Sequence, residues 1–396
     1  MGCCHLRHAQ VVQIPPAQPS GVAECDAGDG EIRIVHVAPT PFGSEGLFGG
    51  GERYPLELAR ALSAHVDCRV VTFGPVARQV SAPGGPDIRV LRPFTHLRGH
   101  PAHPLAPGLL AAIDDADVIH THHLRSTPSR LAALAGRVRG RRLVVTDHGL
   151  GGGGWGGLLP RLFDRFLTVS RYSAETLGVP PSRTRVIYGG ADPQRYRPEP
   201  DEEERHGVLF VGRLTPHKGV DRLLRALPDG EHLTVVGTGG HDPHPPERDY
   251  PDLLRRLAAD HDVTFRGQVS DAELPGLYRR AAVYVLPSVH ETCYGRHVAI
   301  SELLGLSVLE AMASGAPVVC SKVGGVTEIV RDGETGFLVE PGDIAALRDR
   351  LDLLLHKPDL ARELGDNART AVLERFTWDA CARRCLDAYQ QLMAAT

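Results

Sequence analysis

The sequence predicts an α/β protein of two halves, each organised on a parallel sheet, with a ligand cleft between them. Three observations carry this expectation. The chain has 396 residues, more than one hydrophobic core ordinarily serves, so two domains are expected. Short, near-continuous apolar runs rich in Val alternate with helix-like stretches, which is how parallel strands buried on both faces read. The alternation stops at RYRPEPDEEERHG (195–207), a Pro-rich acidic linker, and then resumes. In folds of this kind ligands bind outside the carboxyl ends of the strands.

The elements follow in order. IRIVHVAP (32–39) is the first strand. After it Gly49-Gly50-Gly51 leads into a helix whose Leu56, Ala59 and Leu62 recur at helical spacing, with Pro55 in the first turn, where proline is tolerated. CRVVTFG (68–74), IRVL (88–91), DVIHTHH (117–123) and RLVVTDHG (142–149) read as further strands, and FLTVSRYSAETLG and RVIYGGAD carry the pattern to about residue 192. The second half begins at VLFVGRL (208–214). It continues with LTVVGTGG (233–240), DVTFRGQV (262–269), AVYVLPS (282–288), APVVCS (316–321) and GFLVEP (336–341). DIAALRDRLDLLLHKP and ELGDNARTAVLERF are helices, and WDACARRCLDAYQQLMAA is a last one. The expected organisation is a flexible tail over 1–30, a first domain over 31–194, the linker, a second domain over 208–376 and a terminal helix over 377–396.

Composition excludes several classes. A formal net charge of -4 argues against general attraction to nucleic acid. No apolar run approaches the roughly 20 residues that span a bilayer. The start lacks a basic-then-apolar signal pattern, and although it begins MG, Leu6 stands where a myristoylation signal needs Ser or Thr. A cytoplasmic protein is expected. None of the eight cysteines forms a Cys-x-x-Cys pair. Cys381 and Cys385 share a helix face, but free thiols are the expectation in a reducing compartment.

Two stretches could carry chemistry. SELLGLSVLEAMASG (301–315) holds Glu302 and Glu310. On one straight helix they would stand roughly 80° apart, so a helix start between them is the better reading. Ser307-Val308-Leu309-Glu310 fits a capping box, with Ser307 as N-cap and Glu310 three residues on. The free N–H groups of such a helix start make an anion site. Whether Glu310 closes the box or serves a ligand is open on this stretch alone. VGRLTPHKGVDRLLRAL (211–227) places Arg213 just past a strand and Lys218 in the following loop. Such a pair suits a diphosphate, or is two solvated charges on a turn.

GGGERYPLELARAL, VGRLTPHKGVDRLL and SELLGLSVLEAMASGAPVV…VGGVTEIVRDGETGFLVEPGD, in this order, resemble the family-4 glycosyltransferases of the GT-B fold over most of residues 32–390. The resemblance implies two Rossmann-like domains facing an interdomain cleft. It also implies a retaining, metal-independent transfer of a sugar, hexosyl in type, from a nucleotide-diphosphate sugar, with no cofactor. Glu302 and Glu310 stand at the family's E-x7-E motif, which puts Glu302 near the donor sugar and Glu310 on the ribose hydroxyls. Arg213 and Lys218 match the pair on the donor diphosphate. Leu306, between the glutamates, joins the donor residues, as do Arg266 and Gly267 of FRGQV, which resembles the base-reading segment. Gly49, Gly50 and Gly51 match the glycine loop that approaches phosphate and acceptor. The first domain would then take the acceptor, the second the nucleotide sugar, and the terminal helix would cross back onto the first.

That chemistry loses a diphosphate while the sugar becomes oxocarbenium-like. Preorganised cations and a helix N-terminus stabilise the departing charge without proton transfer. The resemblance also places a polarising histidine at the end of DVIHTHH, where His122 is the first choice and His120, on the same side by alternation, the second. His148 at the next strand end is a candidate for the acceptor side. Each of these can equally be a hydrogen-bonded structural histidine. Asp115-Ala116-Asp117 precedes a strand and reads as a solvated turn, so no metal site is expected. GRVRGRR (136–142) reads first as a solvated helix end and second as a contact for an anionic membrane or acceptor, which would make the protein peripheral there.

Three departures from the family pattern stand out. VHETCYGRHVAI is inserted between Pro287-Ser288 and Ser301-Glu302, and reads as a lid or acceptor wall without zinc-site spacing. Leu304 replaces an aromatic residue. Gly189-Gly190-Ala191-Asp192 replaces Asn-Gly-Val-Asp. The donor is expected to be a UDP- or GDP-sugar and the acceptor a small molecule, a glycan or a lipid-linked species. The alternatives are a nucleotide-sugar epimerase of the same fold and an inactive sugar-nucleotide-binding protein.

Overall fold

The structure, a computed structural model, describes residues 32–41, 50–81, 84–99, 102–148, 157–178, 181–199, 205–239 and 246–395. The tail expected over 1–30 and the residue Gly49 lie outside the described residues. Strands β1 (Arg33–Pro41), β2 (Asp67–Phe73), β3 (Arg78–Val80), β4 (Asp87–Leu91), β5 (Thr95–His96), β6 (Pro104–Leu105), β7 (Val118–His122), β8 (Arg142–Thr146), β9 (Arg165–Thr168) and β10 (Thr184–Val186) belong to the first half. Strands β11 (His206–Val211), β12 (Leu233–Val236), β13 (Val263–Gly267), β14 (Ala281–Leu286), β15 (Val318–Ser321) and β16 (Phe337–Val339) belong to the second. The helices are α1 (Gly50–Leu62), α2 (Leu109–Ala112), α3 (Thr127–Val138), α4 (Arg171–Leu177), α5 (Val220–Ala226), α6 (Tyr250–Leu257), α7 (Leu274–Arg280), α8 (Leu306–Ala313), α9 (Ile344–His356), α10 (Pro358–Arg375) and α11 (Trp378–Ala394).

The first sheet runs β10-β9-β8-β7-β1-β2-β4-β3 and the second β13-β12-β11-β14-β15-β16. Every pairing in them is parallel except β3 against β4. The short β3 and the two-residue ladder β5–β6 are additions that the apolar runs did not announce. Strand order reverses direction between β1 and β7 in the first sheet and between β11 and β14 in the second. At such a switch point neighbouring connections leave in opposite directions and open a crevice at the carboxyl ends.

The last helix shows how a stripe becomes a clamp. Thr377 caps α11 by accepting a hydrogen bond from the Ala380 N–H at 3.0 Å. Trp378, Cys381, Ala382, Cys385, Ala388, Tyr389 and Leu392 are all buried, the one-faced pattern of an amphipathic helix. That face packs on α1 of the first half, with Trp378 edge-on to Tyr54 at 5.1 Å. Gly190 lets the backbones meet: a Cβ there would lie 2.3 Å from Trp378 N. The five cysteines of the described residues, Cys68, Cys293, Cys320, Cys381 and Cys385, are free thiols. No helix of the described residues is long and apolar enough to cross a membrane.

The run 136–142 ends α3. Arg137 pairs with Asp164 at 2.9 Å and Arg139 with Asp114 at 2.8 Å, while Arg141 donates to the Asp114 carbonyl. Asp115 pairs with Arg69 at 3.0 Å, and Asp117 accepts from the Arg33 N–H at 2.9 Å. These carboxylates sit at the amino end of β7, away from the ligand end.

Candidate functional site

The loop after β11 rises at the second switch point. The Arg213 side chain is exposed and makes no hydrogen bond or ion pair among the described residues, while its carbonyl accepts from the Thr215 N–H at 3.0 Å. Lys218 closes the turn, and Gly219 follows at φ +70°, its missing Cβ leaving room for the Pro287 carbonyl. The Lys218 ammonium donates to Oε1 of Glu302, which also accepts from Ser288 Oγ at 3.0 Å. The strand end Pro287-Ser288 and the first motif glutamate therefore meet on the lysine. His217 is held neutral, its pKa lowered to about 3 by burial and then by Lys218, Arg213 and Arg296. The positive charge of this loop is thus carried by Lys218 and Arg213.

The capping box does not form. Gly305, at φ +99°, is the N-cap of α8, and the helix begins at Leu306. The Ser307 hydroxyl instead accepts from Tyr284 OH at 2.8 Å. Glu310 sits in the second turn, buried, with Oε2 accepting from Tyr278 OH at 2.9 Å and Oε1 3.2 Å from Arg53 Nη1. Arg53 belongs to α1 of the other half and also donates to Tyr196 OH at 3.0 Å. Beside it, the Tyr278 hydroxyl is pushed well up by burial and by Glu310. Glu310 is therefore an ion-pair partner across the seam and not a helix cap.

Leu306 fills the seam. A Cβ on Gly50 would lie 3.3 Å from Leu306 Cδ1, and one on Gly189 2.8 Å from Leu306 Cδ2 and 3.0 Å from Leu304 Cδ2. The glycine at 189 and the leucine at 304 are thus spatial neighbours, although read separately as departures in the sequence. More bonds cross here: Ser170 Oγ donates to the Leu303 carbonyl at 2.6 Å, and Glu328 accepts from the Arg171 and Tyr172 N–H groups at 3.0 and 2.9 Å. Gly267 ends β13 at φ +61°, and its carbonyl accepts from the Gly237 N–H at 2.7 Å, at the carboxyl end of the sheet. Arg266 is exposed and pairs with Glu273 at 3.3 Å.

The histidines do not stand as expected. His120 and His122 are neighbours, their rings 4.6 Å apart, as alternation requires. Both are fully buried. His120 is bonded to Tyr389 OH at 2.6 Å and Thr146 Oγ1 at 2.8 Å. His122, the first choice for the reacting centre, has Nε2 on His36 Nδ1 at 3.0 Å and Nδ1 on His148 Nε2 at 3.2 Å. It has no ring nitrogen left for a ligand. His148 is half-buried and lies beside Gly51, whose Cβ would stand 3.8 Å from both His148 Cβ and His123 Cε1. His123 adopts φ +64°, a strained region that histidine enters more readily than most residues.

His36, His120 and His122 offer ring nitrogens within 4.8 Å of one another, the one such group able to hold a metal ion among the described residues. Every ring nitrogen of the three is hydrogen-bonded except His36 Nε2, which is buried without a partner. That pattern fits a hydrogen-bonded stack better than a ligand set.

The insertion is a tied hairpin. Val298 N donates to the His290 carbonyl at 2.7 Å, and Glu291 bridges His297. Arg296 pairs with Glu247 at 3.0 Å and Tyr294 rests edge-on against Tyr250. Its end meets the first half, where Tyr172 OH donates to the Ala299 carbonyl at 2.8 Å. Sequence reasoning missed Arg53, Tyr278, Ser288 and His36. Arg53 stood in the quoted glycine-loop string, and its place one turn into α1 was the available signal.

Residues 48–195 match the family described as Glycosyltransferase Family 4, and residues 193–371 match Glycosyl transferases group 1. A D-inositol 3-phosphate glycosyltransferase of Salinispora arenicola is 30% identical, covering 91% of this chain and 91% of that protein. A GDP-mannose-dependent alpha-(1-6)-phosphatidylinositol monomannoside mannosyltransferase of Mycobacterium tuberculosis is 30% identical over 73% of this chain and 81% of its own. The solved structure of a sucrose-phosphate synthase from Thermosynechococcus elongatus superposes with a TM-score of 0.71 at 25% identity, over 92% of this chain and all of that one.

Proposed function

The chain belongs to the family-4 glycosyltransferases of the GT-B fold, and from that premise we propose that it transfers a hexosyl group, with retention and without a metal, from a UDP- or GDP-sugar to a small-molecule, glycan or lipid-linked acceptor. The observation that carries this reading is the meeting of Lys218, Glu302 and Ser288 at one switch point, with the unpaired Arg213 beside them. In the reaction the C1–O bond to the diphosphate breaks and a bond from the acceptor oxygen to C1 forms. The acceptor's hydroxyl proton is released along with the nucleoside diphosphate. Retention requires attack on the face from which the diphosphate leaves. Arg213 and Lys218 neutralise the charge that grows on the departing oxygens. Glu310 accepts hydrogen bonds from the ribose hydroxyls, displacing Arg53, and Glu302 orients Lys218 beside the sugar. Leu306 packs on the donor, Arg266 and Gly267 flank the base, and the glycine loop with His148 faces the acceptor. The GDP-mannose named for one relative supports this donor type, and the inositol 3-phosphate named for another supports a small-molecule acceptor.

A thermal-shift panel of UDP, GDP, ADP and their sugars tests the donor, since a ligand of the native state raises its melting temperature. A stabilising nucleotide sugar should then be transferred with the anomeric configuration kept, as read by proton NMR of the product. No shift from any nucleotide, or an inverted product, overturns the reading.

A further inference from the structure

Five imidazoles, those of His36, His120, His122, His123 and His148, lie at the first switch point, and three of them form one chain. His148 Nε2 meets His122 Nδ1 at 3.2 Å, and His122 Nε2 meets His36 Nδ1 at 3.0 Å. The rings of His122 and His148 are stacked, as are those of His36 and His122, with interplanar angles of 13° and 21°. β1, β7 and the loop just after β8 supply the chain. The buried end is His36 Nε2, which has no partner. The other end is His148 Nδ1, which makes no hydrogen bond among the described residues and belongs to a half-buried ring beside Gly51.

A chain of neutral imidazoles has one proton per ring and runs in one of two directions. In one, His36 Nε2 holds a hydrogen with nothing to accept it. In the other it is a bare lone pair. A buried N–H without an acceptor is the rarer and costlier orphan. The second direction therefore wins. His36 Nδ1–H donates to His122 Nε2, His122 Nδ1–H donates to His148 Nε2, and the remaining proton of His148 sits on Nδ1.

We propose that His36 and His122 are positioning residues that lock His148 as an Nδ1–H donor at the glycine loop, so that this corner of the site receives an oxygen lone pair of the acceptor and takes no proton from it. The proposal rests on the reading of the cleft as a transferase site, and on the acceptor lying against the glycine loop. Burial, together with the neighbouring imidazoles in the case of His122 and His148, keeps the chain neutral. The groups packed around His148 are His122 of β7, His123 just past it and Tyr54 of α1. His148 is thus a fixed donor, and the chain ends blind at His36, so a proton taken from an acceptor hydroxyl would have no exit.

The test is two-bond proton–nitrogen NMR on the full-length protein with labelled histidine, the His148 signals being assigned by their loss in His148→Gln. The wild type should show His148 protonated at Nδ1 in a single tautomer at neutral pH. A proton on Nε2, or averaging of both forms, overturns the proposal without bearing on donor binding, which the nucleotide thermal shift reads separately. His122→Leu should release the lock and give a mixture of tautomers at His148, whereas His122→Asn, with an amide nitrogen near the former Nδ1, should restore the Nδ1–H form. An unchanged single tautomer in His122→Leu would show that the chain is not what fixes it. If His122→Leu does not fold, the wild-type tautomer decides alone. Stoichiometric divalent metal in the purified protein, with His36 and His122 signals that change on its removal, also overturns the proposal.

Discussion

Arg53 of α1 stands 3.2 Å from Glu310 of α8, an ion pair that joins the two halves of the molecule across their seam. Both side chains are largely withdrawn from water, at 15% and 10% exposure, so the pair is not a solvated surface contact. Glu310 holds the Arg53 guanidinium firmly charged. Removing one partner of a buried pair costs about 3–5 kcal/mol, because the other is left uncompensated. Arg53→Met should therefore lower the melting temperature of the ligand-free protein. The bound nucleotide should then recover more stability than in the wild type, since its ribose hydroxyls give Glu310 new partners. A nucleotide-induced shift equal to or below that of the wild type would count against Glu310 as the ribose contact.

Lys218 is the second place where charge should decide rate. Its ammonium is held by Glu302, whose same oxygen also accepts from Ser288 Oγ. Lys218→Ala should lower kcat by about a hundredfold to a thousandfold, the cost of removing one preorganised donor to developing charge. Lys218→Arg should not recover it, because the planar fork does not fit the space of a point charge. Single-turnover transfer rates read this directly, with melting curves as the folding control. A variant that folds and transfers at wild-type rate would remove Lys218 from the leaving-group role.

The parallel strands were legible because each is a continuous apolar run, and continuity needs no partner to be read. The site was legible only where its residues lie close in sequence, as Arg213 and Lys218 do. Arg53 could not be paired with Glu310 from the sequence, because 257 positions separate them and strand order is not written in any local pattern. The capping box failed for a local reason. Gly305 turns the chain one step ahead of Leu306, and Tyr284, from the strand below, takes the Ser307 hydroxyl. His122 looked cleft-facing because β7 ends there. What covers it is His36, which becomes its neighbour only through the β1–β7 pairing.

The histidine cluster should make stability depend on pH in a range where most carboxylates are still ionised. His36 is lowered from its ordinary 6.5 to about 3 and His123 to about 4, and His120, His122 and His148 are also lowered, burial being the first cause throughout. Between those values and 6.5 the unfolded chain holds protons that the folded chain does not. Stability is therefore complete above about pH 6.5 and falls as pH drops toward the folded values, by up to about 1.4 kcal/mol per pH unit for each such histidine. Potentiometry during unfolding at about pH 5.5 should show net proton uptake of more than one proton per chain. Unfolding without uptake there would mean that these rings are protonated in the native state.

Gly189 and Leu304 should behave as one unit. A Cβ at 189 would stand 2.8 Å from Leu306 Cδ2, 3.0 Å from Leu304 Cδ2 and 3.0 Å from Tyr54 Cε2. Overfilling a packed seam costs typically about 1–3 kcal/mol, so Gly189→Asn should lower stability by that order. Leu304→Ala alone should also destabilise, since Leu304 is buried and its loss leaves a cavity. In the double variant the Asn side chain can occupy the space that Leu304 vacates. The two costs should then fail to add, with a favourable coupling of about 0.5–3 kcal/mol in a double-mutant cycle. Additive costs would mean that the glycine at 189 answers to Leu306 and Tyr54 alone, and that the two departures from the family pattern arose independently.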